Sequence, residues 1–189
     1  GFGVQFYETS HSSIARNNIA NNAFNYGGEG IRIENFEASD DYNIICGNNV
    51  TGNFGYGIYC YLSNLNNVYG NNFTANVYQG VYLLSSASNK IFHNNIIDNN
   101  SGGMQAFADD NSLGSWDDGY PSGGNYWGDY EELYPEAQEI DSSGIWDTAY
   151  QITNVGQDYW PLMNPWAYLP VYNMNKGLYY TTIQNGIDG

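Results

Sequence analysis

Asparagine recurs in this chain with a period of 23 residues. Asn43, Asn66 and Asn89 form one series, Asn48, Asn71 and Asn94 a second, and Asn53, Asn76 and Asn99 a third. A fixed period of this size is the signature of a solenoid, in which each repeat buries its apolar face only against its neighbours. Glycine keeps the same beat. Gly57, Gly80 and Gly103 precede the alternating stretches Ile58-Tyr59-Cys60-Tyr61, Val81-Tyr82-Leu83-Leu84 and Met104-Gln105-Ala106-Phe107. Gly3 and Gly30 open two earlier copies, with Val4/Phe6 and Ile31/Ile33 in the same slots. Such alternation predicts strands with one buried face. Two further inward slots flank each asparagine pair: Ile14, Ile45, Val68 and Ile91 before it, Ile19, Val50, Phe73 and Ile96 after it.

Each coil thus offers about three short strands, none long enough to fold alone. Stacked about 4.8 Å apart, they predict three parallel sheets around one core. The fold class is all-β, a right-handed parallel β-helix. The asparagines are expected to take the left-handed bends and to bond the asparagines above and below. Gly3 to Gly30 and Gly30 to Gly57 each span 27 residues, with extra stretches near 26–29 and 36–41. Insertions in a solenoid emerge as loops on one face.

The formal net charge is −16, from four basic and twenty acidic residues. That argues against a nucleic-acid partner, which needs a positive face, and against anionic membranes. No apolar run approaches membrane-spanning length. No basic stretch with a following apolar core starts the chain, which reads as mid-coil from Gly3 onward. The expectation is a mature product or a piece of something longer. No Lys or Arg occurs between Lys90 and Lys176, and a one-sign field of this kind suits bound cations, high salt or solubility. Of the two cysteines, Cys60 falls in an inward slot. Cys46 follows inward Ile45 and is expected to point outward, so a disulfide between them is not expected.

After Phe107 the beat stops. The chain turns acidic and aromatic through Trp116, Tyr126, Trp127, Tyr130, Trp146, Trp160 and Trp166. An open solenoid end needs an apolar cover, and these side chains suit one. The coils, together with the closing runs "WDDGYPSGGNYWGDY", "GIWDTAYQI" and "DYWPLMNPW", resemble the NosD-like parallel β-helix family of archaeal surface-protein type. The likeness covers almost the whole chain. It implies an extracellular place at the cell surface, and it brings two cofactors into question. Family members often carry an Asp-Gly-Asp-Gly-Ile-Gly-Asp-like run. Here the run reads Asp141-Ser142-Ser143-Gly144-Ile145-Trp146-Asp147 and keeps two carboxylates. Asp141 and Asp147 are therefore the calcium ligands the resemblance implies. NosD itself assists copper-site assembly, but His11, His93, Met104, Met163 and Met174 are scattered, and no copper site is legible.

The tail "VYNMNKGLYYTTIQNGIDG" resembles the opening of another such module, with Leu178, Tyr180, Ile183 and Ile187 on its buried side. Three segments follow: coils over 1–108, a closing segment over 109–170, and a linker or strand over 171–189. The expected assembly is of copies head to tail, through Val4 and Phe6 at one end and Leu178, Tyr180 and Ile183 at the other. Asn49, Asn72 and Asn99 lie in glycosylation sequons, and glycans are candidate partners. Outward aromatics fall in register as Tyr59/Tyr82 and Tyr69/Phe92.

No catalytic residue is assigned. Asp40-Asp41 and Asp109-Asp110 read as turns, because adjacent acids on a strand face opposite ways. The function predicted is a non-enzymatic structural module of a surface or filament protein. The competing reading is a carbohydrate-binding or carbohydrate-active β-helix, which a carboxylate groove beside a cleft would favour.

Overall fold

A computed structural model of the chain describes residues 1–23, 27–36, 40–153 and 156–167, and the backbone of 171–173 and 178–180. The repeat becomes coils of three strands. The first coil holds β1 (Val4–Tyr7), β2 (Ser13–Ala15) and β3 (Asn18–Ala20). The second holds β4 (Ile31–Glu34), β5 (Ile44–Cys46) and β6 (Asn49–Thr51). The third holds β7 (Ile58–Tyr61), β8 (Asn67–Tyr69) and β9 (Asn72–Thr74). The fourth holds β10 (Val81–Leu84), β11 (Lys90–Phe92) and β12 (Asn95–Ile97). After them come β13 (Ala106–Ala108), β14 (Tyr126–Trp127), the single-turn helix α1 (Tyr130–Leu133), β15 (Tyr150–Thr153), β16 (Gly156–Asp158), β17 (Val171–Asn173) and β18 (Leu178–Tyr180).

Like strands stack into three sheets, ordered β1-β4-β7-β10-β13, β2-β5-β8-β11 and β3-β6-β9-β12-β14. All pairings within them are parallel. The chain is a β-solenoid. Ile58, Cys60, Val68, Phe73, Val81, Leu83, Ile91 and Ile96 fill its core as the alternation predicts. The recurring glycines make room for that core. A Cβ on Gly57 would stand 2.5 Å from the Gly80 carbonyl oxygen and 2.9 Å from Phe73 Cδ1.

The asparagines form ladders through the stack. Asn48 donates its backbone N–H and its Nδ2 to Asn71 Oδ1, Asn71 does the same to Asn94, and Asn94 to Asn125, at 2.9–3.1 Å. Each Nδ2 also reaches the carbonyl of a core residue: Ile14, Ile45 and Val68 respectively. Buried amides are tolerated only when satisfied in this way. One expectation is corrected. The left-handed backbone sits one residue earlier, on Gly47, Gly70 and His93, on Gly52, Ala75 and Asp98, and on Tyr42, Leu65 and Ser88. That residue turns the chain so that the following asparagine can aim its amide inward.

Three further expectations fail. Gly103 does not open the fifth strand: Val81 pairs with Ala106 and Leu83 with Ala108. A 3-10 turn over Asn100–Gly102 delays the strand, and Met104 is left exposed. Gln105 then ends the third ladder. Its Oε1 accepts the backbone N–H of Asn99 at 2.9 Å, and its Nε2 donates to the Asn99 carbonyl. Cys46, expected to face water, is buried, though both cysteines are free. Asp41 is no loose turn residue. It is buried and accepts hydrogen bonds from Asn35 Nδ2 and Ser63 Oγ.

The aromatic segment joins the same core. β14 extends the third sheet beyond β12, pairing Trp127 with Ile96. Trp116, Trp127, Tyr130, Tyr150 and Ile152 are buried in one cluster with the coils. Trp127 stacks on Tyr150 with ring centroids 4.0 Å apart and planes 4° apart. β15 and β16 form an antiparallel pair, as do β17 and β18.

Candidate functional site

Three surfaces carry the chemistry. The first is the open face of the first coil. β1, β2 and β3 each stand at the end of their sheet, so one edge of each strand lacks a ladder partner among the described residues. Val4 and Phe6 are half-buried there, packed against the core cluster. Unpaired strand edges are templates for strand addition. Of the other expected assembly residues, Leu178 and Tyr180 lie on β18, where they pair with Asn173 and Val171. Ile183 and Ile187 lie outside the described residues.

The second is the outer face of the first sheet. Parallel register puts Arg32, Tyr59, Tyr82 and Phe107 in one column. Tyr59 and Tyr82 stack at 5.6 Å, and Tyr82 and Phe107 at 4.8 Å. The Arg32 guanidinium lies 4.7 Å from the Tyr59 ring centre and 5.2 Å from that of Phe2. Its Nε donates to Glu34 Oε2 at 2.8 Å, and its other arm reaches Glu29 Oε1 at 3.3 Å. Burial works against the charge, but the bond and field of Glu34 and then Glu29 hold the Arg32 pKa above its usual value. Tyr56 packs beside the column, 4.5 Å from Tyr82, and burial pushes its hydroxyl up to about 12.

The third is the closing segment, fixed by a carboxylate that sequence reasoning missed. Asp158 is fully buried. Its Oδ2 accepts the backbone N–H of Asn125 at 2.6 Å and the indole N–H of Trp127 at 2.9 Å, and its Oδ1 accepts the N–H of Trp160 at 3.1 Å. Asp158 therefore terminates the Asn48–Asn125 ladder. Burial raises its pKa to about 7, against the pull of these donors. Asn125 was legible in principle, since Asn125-Tyr126-Trp127 repeats the pattern of Asn94-Asn95-Ile96. A fourth polar column was also missed. Ser63 N–H donates to Ser86 Oγ, and Ser86 N–H to Ser112 Oγ; the 23-residue step from Ser63 to Ser86 was its signal.

The predicted modification and metal residues fare differently. Asn49 and Asn72 are exposed neighbours in register. Asn99 is corrected as a glycan acceptor. It is 0 % exposed, and its Nδ2 donates to the Phe73 carbonyl at 2.8 Å, so the folded chain offers no amide to modify. Asp141 and Asp147 are exposed. Asp147 Oδ1 accepts the Gln138 N–H at 3.0 Å and the Thr148 hydroxyl at 2.9 Å; the Gln138 bond leads in holding its pKa below the usual carboxylate range. Among the described residues no three His, Cys, Asp or Glu side chains converge on a metal-sized space, and calcium has no support there.

A family model described as periplasmic copper-binding protein (NosD) matches residues 2–115. The β-solenoid and this match, which takes in more than half of the chain, set its class: it belongs to the NosD family. The family's periplasmic description agrees with a place outside the cytoplasm. No helix among the described residues is long and apolar enough to cross a membrane. Neither the curated proteins nor the solved structures gave a match.

The family description implies copper, and the donors described here do not fit it. Cys60 lies in the core, where burial pushes its thiol up to about 12. His93 stacks on Trp166 at 3.6 Å with its Nε2 2.8 Å from the Ser122 carbonyl. The bend position it shares with exposed Arg16 is thus covered here. His11 stands on the first coil beside Tyr42. Copper sites draw His, Met and Cys together, and these side chains are held apart by the core and the stack.

Proposed function

We propose that this chain is a non-enzymatic structural module of an extracellular β-helix protein, joined end to end to copies of itself. What supports this reading is the stack itself, in which each coil pairs strand for strand with the next in three parallel sheets and buries its core only against it. A copy whose coils stacked on β1, β2 and β3 would continue the same pairing, with Val4 and Phe6 packed against it. A head-to-tail contact of this kind is heterologous and builds a filament.

The non-enzymatic half is supported by how the ionisable groups are used. Arg32 is tied to Glu29 and Glu34, Lys90 to Asp118, Asp41 to Asn35 and Ser63, and Asp109 to Ser112 and Ser85. Each holds a turn or a column in place.

Sedimentation velocity and electron microscopy of the purified chain across concentrations test the assembly. The expected result is concentration-dependent end-to-end growth. It should be lost in a Val4→Lys/Phe6→Lys variant and on deletion of 171–189, with the far-ultraviolet spectrum retained. A monomer at every concentration, or growth indifferent to both changes, overturns the proposal. Release of sugar products from a polysaccharide panel would overturn the non-enzymatic half alone.

A further inference from the structure

The column on the first sheet has two ends. The first holds a cation. The Arg32 guanidinium sits over the Tyr59 ring and is bracketed by the carboxylates of Glu29 and Glu34. Its last end is Phe107, which stacks on Tyr82 and lines a cleft of about 410 Å³. Met104, Ala108, Asp109, Asp110 and Thr153 complete the lining. Phe107 and the carboxylates of Asp109 and Asp110 thus line one cleft at this end of the stack.

We propose that this cleft binds a guanidinium group carried on an arginine of a partner chain. A cation within about 6 Å of an aromatic centre is attracted to the ring face, and a planar guanidinium stacks there while its N–H groups reach carboxylates. The carboxylate oxygens of the lining accept hydrogen bonds, and the buried, unpartnered Thr153 hydroxyl can accept or donate. Asp109 keeps Oδ2 toward the weak, 3.5 Å bond from Asn111, while Oδ1 takes Ser85 N–H and Ser112 Oγ. Asp110 is exposed and carries a second carboxylate. A guanidinium brings five donors and no acceptor, which matches this lining. Burial alone would raise the Asp109 pKa, but the bonds from Ser112 and Ser85 outweigh it and hold it below the usual range, as suits a standing negative charge. No Lys or Arg lies between Lys90 and Lys176, and Lys90 is paired with Asp118, so this stretch of chain brings no cation of its own.

Methyl-labelled Met104 gives the readout, by nuclear magnetic resonance titration of the full chain with L-arginine amide. The Met104 signal should shift saturably. L-citrulline amide, of the same shape without the charge, should move it at least tenfold less. Phe107→Leu should abolish the shift, and Asp110→Asn, at an exposed position that leaves the fold intact, should weaken binding several-fold. Equal response to citrulline amide, or an unchanged response in Asp110→Asn, overturns the proposal. So does saturable binding of methyl glucoside without arginine amide, which would make the cleft a carbohydrate site. No saturable shift with any of the three probes refutes a ligand site there.

Discussion

The buried carboxylate of Asp158 accepts the indole N–H of Trp127 at 2.9 Å, and with it the backbone N–H of Asn125 at 2.6 Å. One side chain thus ends an asparagine ladder and seats the tryptophan that extends the third sheet. The end of the solenoid depends on a residue 33 positions beyond the last asparagine of its ladder.

That position makes stability depend on pH. The Asp158 pKa is raised by burial from 3.8 to about 7. A group whose folded pKa lies above its unfolded value holds more protons in the native state. Its contribution is full below about pH 4 and is lost as pH rises toward 7, at up to ~1.4 kcal/mol per pH unit. Urea denaturation from pH 4 to 8 should show this slope in the native chain and lose it in Asp158→Asn. Asp158→Ala strands the donors of Trp127 and Asn125 and should cost about 3 kcal/mol. Identical pH slopes in the native chain and the Asn variant would refute the assignment.

The asparagine ladders should be far more sensitive than their neighbours. Asn71 accepts from Asn48 and donates to Asn94 and the Ile45 carbonyl, all inside the stack. Asn71→Ala leaves several buried groups unpaired, at about 3 kcal/mol. Asn49, next to ladder residue Asn48 but exposed and with its side chain bonded only to the exposed Asn18, should change stability by less than about 0.5 kcal/mol on the same substitution. Thermal melts of the two variants side by side make the comparison.

Gly57→Ala adds a single methyl where the Gly80 carbonyl oxygen stands at 2.5 Å. The backbone of the next coil cannot yield as a side chain would, so the expected cost is about 2 kcal/mol, as for overpacking in cores. A melting temperature within a degree of the native value would show that the coils have slack at this corner.

Where the chain is made in a glycosylating host, peptide mapping should find any N-linked glycan on Asn49 or Asn72 and none on Asn99. The first two amides stand at the surface. That of Asn99 is held by Phe73 and Gln105. Occupied Asn99 would mean that this coil closes only after modification.

Chelation should leave the melting temperature where it is, because no three acidic side chains converge among the described residues and the best-held carboxylates have other partners. Asp118 bonds Lys90, Asp147 bonds Gln138, and Asp158 lies under Trp127. A bound ion would stabilise the native state by mass action, so a drop in chelator at low salt would reveal a site built another way.

The coils were legible because their determinants are local and repeated. Val81 and Leu83 face inward by strand alternation, and Ile58 and Cys60 repeat them one coil earlier. The ladders were legible for the same reason, although the left-handed residue was placed one position late. A period marks which residues are equivalent, and the φ angle at each is set by where its side chain must reach. Where the period breaks, the sequence lost its grip. The slip of β13 came from two residues taken into the Asn100–Gly102 turn, which no repeat announces. The burial of Asn99 beneath Gln105 follows from that slip, while the role of Asp158 and the meeting of Phe107 with Thr153 in one cleft join residues remote in sequence. The sequence by itself determined a stacked scaffold, because each coil repeats the same few constraints on its neighbours. Only the tertiary structure decided how that stack ends and what its surface offers, because those contacts occur once and follow from the path of the chain.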